Sequence, residues 1–192
     1  MFFIVESNQR EKKLFVPTVD HDCRDCYKEN KMIRLAKIEE TDRLLEIYAL
    51  AKHFMHTHGN PNQWNGSYPD RAVIESDINK KQLYVAEDES GYIYACFALI
   101  GGVDPTYNYI EGAWKSDTPY GTIHRIAGDG SRRGVFAECA AYARTLFSHL
   151  RVDTHEDNIP MQNAVKRDGF EYAGVIYIAD GSPRVAFNWV NN

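Results

Sequence analysis

The sequence has no stretch approaching the roughly 20 consecutive apolar residues that would cross a bilayer as a helix. Its opening apolar run, residues 1–5, meets Glu6 without the core or the small-residue cleavage site of a signal peptide. Neither membrane insertion nor export is expected. Positive charge is also not in excess, because 22 Lys and Arg stand against 27 Asp and Glu, a net charge of -5. The general attraction to polyphosphate that marks nucleic-acid binding is therefore missing. Cysteine is scarce, 4 in 192 residues, which disfavours a secreted disulfide framework. No repeat or low-complexity tract appears. What remains is a cytoplasmic protein with no membrane or nucleic-acid partner. Its 44% apolar content is enough to core one domain.

The cysteines also limit metal chemistry. Cys23 and Cys26, in HDCRDC, supply half of a zinc site, but no second Cys or His pair at finger spacing follows. His53, His56 and His58 lack an accompanying carboxylate. No metal is expected. Cys139 falls on an apolar helical face, which suits packing better than nucleophilic attack. Residues 1–31, two apolar runs around NQREKK and then a polar stretch, read as an N-terminal extension or arm ahead of a domain spanning 32–192.

Within that domain periodicity is strong. Over residues 39–57, Leu44, Ile47, Tyr48, Ala51, Phe54 and Met55 recur at helical spacing and make one buried stripe. The Gly, Pro and Asn of HGNPNQWNGSYP break that helix, and a weaker one follows at 71–80. Residues 82–87 and 91–100, rich in Tyr, Val, Ile and Phe, read as an antiparallel hairpin. A long loop rich in Tyr, Trp and acids leads to the most informative stretch, TIHRIAGDGSRRGVF at 122–136. There a strand breaks at Gly128 and Gly130, and a helix begins near Gly134. The apolar face of that helix is predicted to run through Phe136, Cys139, Ala140, Ala143, Leu146, Phe147 and Leu150. A helix start leaves N-H groups without partners and carries about half a positive charge, so it holds an anion, and Arg132 and Arg133 add two cationic forks. Residues 152–155 read as a short strand. Asn158 can cap a helix with Pro160 in its first turn and Gly169 at its end, and two strands at 171–178 and 184–190 finish the chain.

This order of elements resembles the GNAT superfamily of acetyl-CoA-dependent N-acetyltransferases over residues 32–192. Two segments carry the resemblance. IHRIAGDGSRRGVF is similar to the family's pyrophosphate turn, and DTHEDNIPMQNAVKRDGFEYAGVIY is similar to its second cofactor motif. Of the turn pattern only Gly134 matches, since Ser131 and Phe136 occupy the other two positions. The resemblance implies an α/β (α+β) fold: a central mixed, mostly antiparallel sheet flanked by helices, with the fourth and fifth strands splayed apart. Acetyl-CoA would lie in the splay. Its pantetheine arm would pair with the backbone of Ile126, Ala127 and Gly128, and its pyrophosphate would sit at Ser131, Arg132, Arg133, Gly134, Val135 and Phe136. Asn158 matches a cofactor-contacting asparagine, at a position where Asn is also favoured as a cap.

The reaction so implied is acetyl or short acyl transfer to a primary amine of a small molecule or peptide within a ternary complex. An ammonium must first lose a proton, and His124, titratable in the useful range, is the first candidate base, with Glu111 second. Trp64, Tyr109, Trp114 and His155 are the expected acceptor contacts. The family's usual thiolate-protonating Tyr is replaced by Val165, leaving Tyr172 or Tyr177 as substitutes. A homodimer paired through the final strands is compatible with the family. The rival reading is a catalytically inactive acyl-CoA-binding sensor or scaffold.

Overall fold

Helix α1, Thr41–Thr57, buries Leu44, Ile47, Tyr48 and Met55 along one stripe, as the spacing predicts, with Ala51 half-buried, but the expected Phe54 is exposed. The computed structural model to which it belongs describes residues 32–191, and the expected arm at 1–31, with Cys23 and Cys26, lies outside them. The α1 stripe packs with Ile74 of α2, Arg71–Asn79, onto one face of a sheet. The opposite face is covered by α3, Val135–Leu146, and α4, Ile159–Arg167, over Phe97, Leu99, Ile123, Leu150 and Phe187.

The sheet has eight strands: β1 Met32–Leu35, β2 Leu83–Glu87, β3 Ile93–Gly101, β4 Glu111–Gly112, β5 Gly121–Gly128, β6 His149–Thr154, β7 Glu171–Tyr177 and β8 Pro183–Val190. Their order is β1-β2-β3-β5-β6-β8-β7-β4. Only β5 and β6 run parallel, so the sheet is mixed and mostly antiparallel, as expected. The strand read as fourth is β5, because the two residues of β4 form a short edge strand on β7. That pairing needs glycine on both sides. A Cβ on Gly112 would stand 2.2 Å from the Ala173 carbonyl oxygen, and one on Gly174 would stand 2.2 Å from that of Glu111.

The predicted length of the third helix is corrected. Helix α3 ends at Leu146, which is exposed rather than on the buried face; Phe147 is extended, with φ -135° and ψ 133°, and Leu150 is already in β6. The cause is tertiary. The Phe147 ring fills the space over Gly121 and Gly101, which face each other across β3 and β5. With Leu150 and Val152 on the α3 face, the β6 strand starts at His149 rather than at 152.

Strands β5 and β6 pair only at Gly121 with Leu150 and at Thr122 with Arg151, although both continue. Beyond Thr122 the edge of β5 that faces β6 has no strand partner among the described residues. On its other edge, Cys96 pairs with Ala127 and Ala98 with His124, so β5 carries one residue more than β3 at this point, a bulge. Arg125 sits in the bulge with φ 48°, an unfavourable conformation for a side-chain-bearing residue. It is anchored from α2, since its Nε and Nη2 reach Asp77 Oδ2 at 2.9 and 2.7 Å.

Candidate active site

A cleft of about 1370 Å³ opens where β5 and β6 part. Pockets for one small ligand run to roughly 1,000 Å³, so this volume has room for two reactants. One end is the turn between Gly128 and α3. Gly134 opens α3 with φ 78° and no side-chain cap, whereas Asp70 caps α2 through Val73 N and Asn158 caps α4 through Met161 N. Among the described residues, the first-turn N-H groups of α3 thus have no capping side chain in front of them. Among the described residues nothing lies within 4 Å of where a Cβ on Gly134 would be.

The two arginines of the turn play different parts. Arg133 is exposed and lines the cleft. Arg132 also lines it, but its guanidinium is held by Asp88 Oδ2 at 3.0 Å and lies 4.4 Å from the centre of the Tyr94 ring. Asp129 would oppose an anion were it not already engaged. Its nearly buried carboxylate accepts from Arg43 Nη2 at 2.6 Å, Tyr92 Oη at 2.7 Å and Ser131 Oγ at 2.5 Å. Burial opposes ionisation of Asp129, but the bonds from Ser131, Tyr92 and Arg43 outweigh it and hold the carboxyl below its ordinary pKa. Asp129 is thus offset by Arg43.

On the other side of the sheet stands His124. Its Nε2 is 3.1 Å from Asp104 Oδ2, and its Nδ1 faces Asp153 Oδ1 at 3.9 Å. Tyr107, buried, donates its hydroxyl to the same Asp153 oxygen at 2.7 Å. The bond to His124, helped by those from Thr106, holds the Asp104 carboxyl far below the usual carboxylate range. An ionised carboxylate on one ring nitrogen orients an imidazole, as in any base-orienter pair.

A third group ties these parts together. Gln63, in the loop after α1, accepts at Oε1 from Asn60 Nδ2 at 2.7 Å, Asn158 Nδ2 at 2.8 Å and Thr154 Oγ1 at 3.2 Å. Asn158 therefore spends its oxygen on capping α4 and its amide on holding this loop.

Of the residues singled out in the sequence, His124, Ile126, Ala127, Gly128, Arg132, Arg133, Gly134, Val135, Phe136, Asn158, Trp64 and His155 line the cleft. Four others do not join them. Ser131 turns back to Asp129, while Glu111 is exposed on β4 and accepts from Tyr177 Oη at 2.8 Å. Tyr109 is exposed with its ring 6.1 Å from that of Tyr177, and Trp114 packs on Tyr107 and Arg151. Val165 is fully buried among core residues, and neither Tyr172 nor Tyr177 reaches the cleft. Sequence reasoning missed Asp104, Asp153 and Arg184. Asp104 lies in the long loop before β5, and Asp153 is the one partly exposed residue of an otherwise buried β6, but neither setting is visible in the sequence.

No family model matches the sequence, and no curated protein does. Among solved structures the chain is similar to a GNAT-family acetyltransferase from Streptococcus agalactiae, at 30% identity and TM-score 0.76, over 86% of this chain and 98% of that one. It is also similar to a GNAT-family acetyltransferase from Listeria monocytogenes, at 15% identity and TM-score 0.62, over 83% of this chain and 94% of that one. An N-acetyltransferase from Staphylococcus aureus shares 20% identity at TM-score 0.54, over 85% of this chain and 99% of that one.

Proposed function

The chain belongs to the GNAT family of acetyltransferases, and from that premise we propose that it transfers an acetyl or short acyl group from CoA to a primary amine held in the same cleft. Acyl-CoA, when bound, supplies an activated acyl carbon; transfer forms an amide bond and breaks a thioester bond. Two features of this chain fit such a donor: the unpaired edge of β5 beyond Thr122 and the uncapped start of α3. On this reading the backbone of Ile126, Ala127 and Gly128 holds an amide-bearing arm. The N-H groups at Gly134, Val135 and Phe136, with Arg133 beside them, hold phosphate.

The chemical task left to the side chains is deprotonation. A free ammonium with a pKa near 10.4 is almost wholly protonated at neutral pH, and removing its proton costs about 4 to 5 kcal/mol. His124 takes that proton, and Asp104 positions its ring. The observation that carries the reading is that His124, flanked by two carboxylates, shares one cleft with the uncapped α3 turn. With Val165 in the core, no tyrosine at that position protonates the departing thiolate. A thiol with a pKa near 8.5 is a good enough leaving group without one. Positioning and a β5 backbone N-H near the acyl oxygen supply the remainder.

The test is thiol release from acetyl-CoA across a broad panel of amines, alongside a calorimetric titration with CoA. Binding with amine-dependent turnover is expected. Binding without turnover on any amine would favour an acyl-CoA sensor, and no binding at all would remove both readings.

A further inference from the structure

Arg184, the second residue of β8, is 6% exposed and lines the cleft. Its Nη1 donates to Pro183 O at 2.7 Å and to Ser182 Oγ at 3.2 Å, while Nε and Nη2 have no acceptor among the described residues. No carboxylate lies within ion-pair distance of it there. The other arginines withdrawn from water are mostly paired: Arg34 with Glu40 and Glu87, Arg43 with Asp129, Arg125 with Asp77 and Arg144 with Asp168. Arg151 is also without a carboxylate, but the rings of Trp114 and Tyr120 sandwich it outside the cleft, at 4.0 and 3.8 Å. Asp180, on the β7–β8 turn, accepts from the N-H and hydroxyl of Ser182 and feels the charge of Arg184 without coming within ion-pair distance of it. The Nε and Nη2 of Arg184 are open to the solvent of the cleft, where an anion can complete the fork with charge-assisted bonds.

Its position on the sheet says what kind of anion. Ala186 pairs with Asp153 and Val185 with Thr154. Leu150, Val152 and Phe187 face α3, so Asp153, Ala186 and Arg184 lie on the opposite face, the one that carries His124. Arg184 is therefore a diagonal neighbour of Asp153, about 7 to 8 Å away between Cα positions. The acceptor face thus presents an imidazole and two carboxylates at one point and an unfilled guanidinium a short step along. That is the charge pattern complementary to a zwitterion. Leu50, Phe54 and Tyr68, all partly exposed, line the mouth of the same cleft with apolar surface.

We propose that the acceptor is an amino acid with an apolar side chain, its ammonium directed to His124, Asp104 and Asp153 and its carboxylate bound by the fork of Arg184. This inference rests on the acetyl-transfer reading of the cleft. Its test compares matched pairs that differ only in the carboxylate, leucine against isopentylamine and phenylalanine against phenethylamine. Each is assayed with acetyl-CoA on the wild-type protein and on Arg184→Gln and Arg184→Lys variants. Thermal melts and CoA affinity serve as controls for folding.

The wild-type kcat/KM should favour the amino acid of each pair by at least about thirty-fold, the loss expected when a buried charge partner is missing. Arg184→Gln should erase that preference through KM for the amino acid and leave the decarboxylated amine within about twofold. Arg184→Lys, which keeps the charge but not the fork, should fall between the two. Equal use of both members by the wild type would overturn the carboxylate subsite and leave acetyl transfer standing, as would a variant that slows both members equally. Acetylation of neither member, nor of any other amine, by protein that binds CoA would overturn the subsite and the transfer reading together. If Arg184→Gln does not fold, the wild-type preference and its change in Arg184→Lys decide the question.

Discussion

Replacing His124 by Gln removes the imidazole and keeps a polar side chain of similar reach. The magnitude has two parts. A general base contributes about 10²- to 10⁴-fold, so kcat/KM at neutral pH should fall by that factor. The structural cost is smaller, because Asp104 loses one partner but keeps its bonds from Thr106 N at 2.9 Å and Thr106 Oγ1 at 2.6 Å. One charge-assisted hydrogen bond is worth about 1.5 to 3 kcal/mol, and the half-buried setting favours the lower end. For a protein of this size that predicts a melting temperature lower by about 3 to 6 °C. CoA affinity should not change, since His124 sits on the other side of β5 from the α3 turn.

The assay is thiol release at saturating acetyl-CoA over a range of pH, with CoA affinity measured by calorimetry. The pH limb set by the base should vanish in the variant. Asp104→Asn should lower kcat/KM less than His124→Gln, and the double variant should be no worse than His124→Gln alone, as for groups acting as a unit. A variant with kcat/KM within about threefold of the wild type and the same pH limb would refute the assignment. Fully additive losses would refute the role of Asp104.

Val165→Tyr places a phenol where the side chain is fully buried against Phe136 and Phe170, so it should cost about 1 to 3 kcal/mol in urea unfolding and bring no rate gain; a faster enzyme of unchanged stability would contradict this placement. Gln63→Leu strands three donors that now share one oxygen, which predicts a loss of about 2 to 4 kcal/mol and a higher KM for both substrates; a stability change below about 0.5 kcal/mol would show that the loop is held by other contacts. His149 is buried and donates from Nδ1 to Thr118 O at 3.2 Å, and burial keeps its pKa below the ordinary histidine value. The unfolded chain takes up that proton near pH 6.5 while the folded chain resists it, so stability should fall as pH drops below about 6.5. Melts of His149→Gln should show a shallower slope there; the same slope would exclude His149 as its source.

The elements that local pattern controls were legible in advance. The α1 stripe, the Asn158 cap, the left-handed Gly169 with φ 82°, and the break from strand to helix at Gly134 all follow from spacing or from the conformational freedom of one residue. So did the mixed sheet and the family, because those depend on the order of such elements along the chain. The end of α3 was not legible. Phe147 continues the helical period and leaves it only because two glycines on separate strands make room for its ring. The grouping around His124 is of the same kind. Asp104, His124 and Asp153 come from a loop and two strands, and their roles depend on which face each strand turns toward the cleft. Glu111 and Trp114 looked equally suitable by type, yet the pairing of β4 with β7 carries Glu111 to the sheet edge, and Trp114 packs against Tyr107 and Arg151. Sequence by itself determined the local geometry, including the glycine that opens α3, because backbone periodicity and glycine placement act over a few residues. Tertiary structure alone decided which charges meet, as Asp104 meets His124 and Asp77 meets Arg125, because partners in an ion pair are chosen by distance in space.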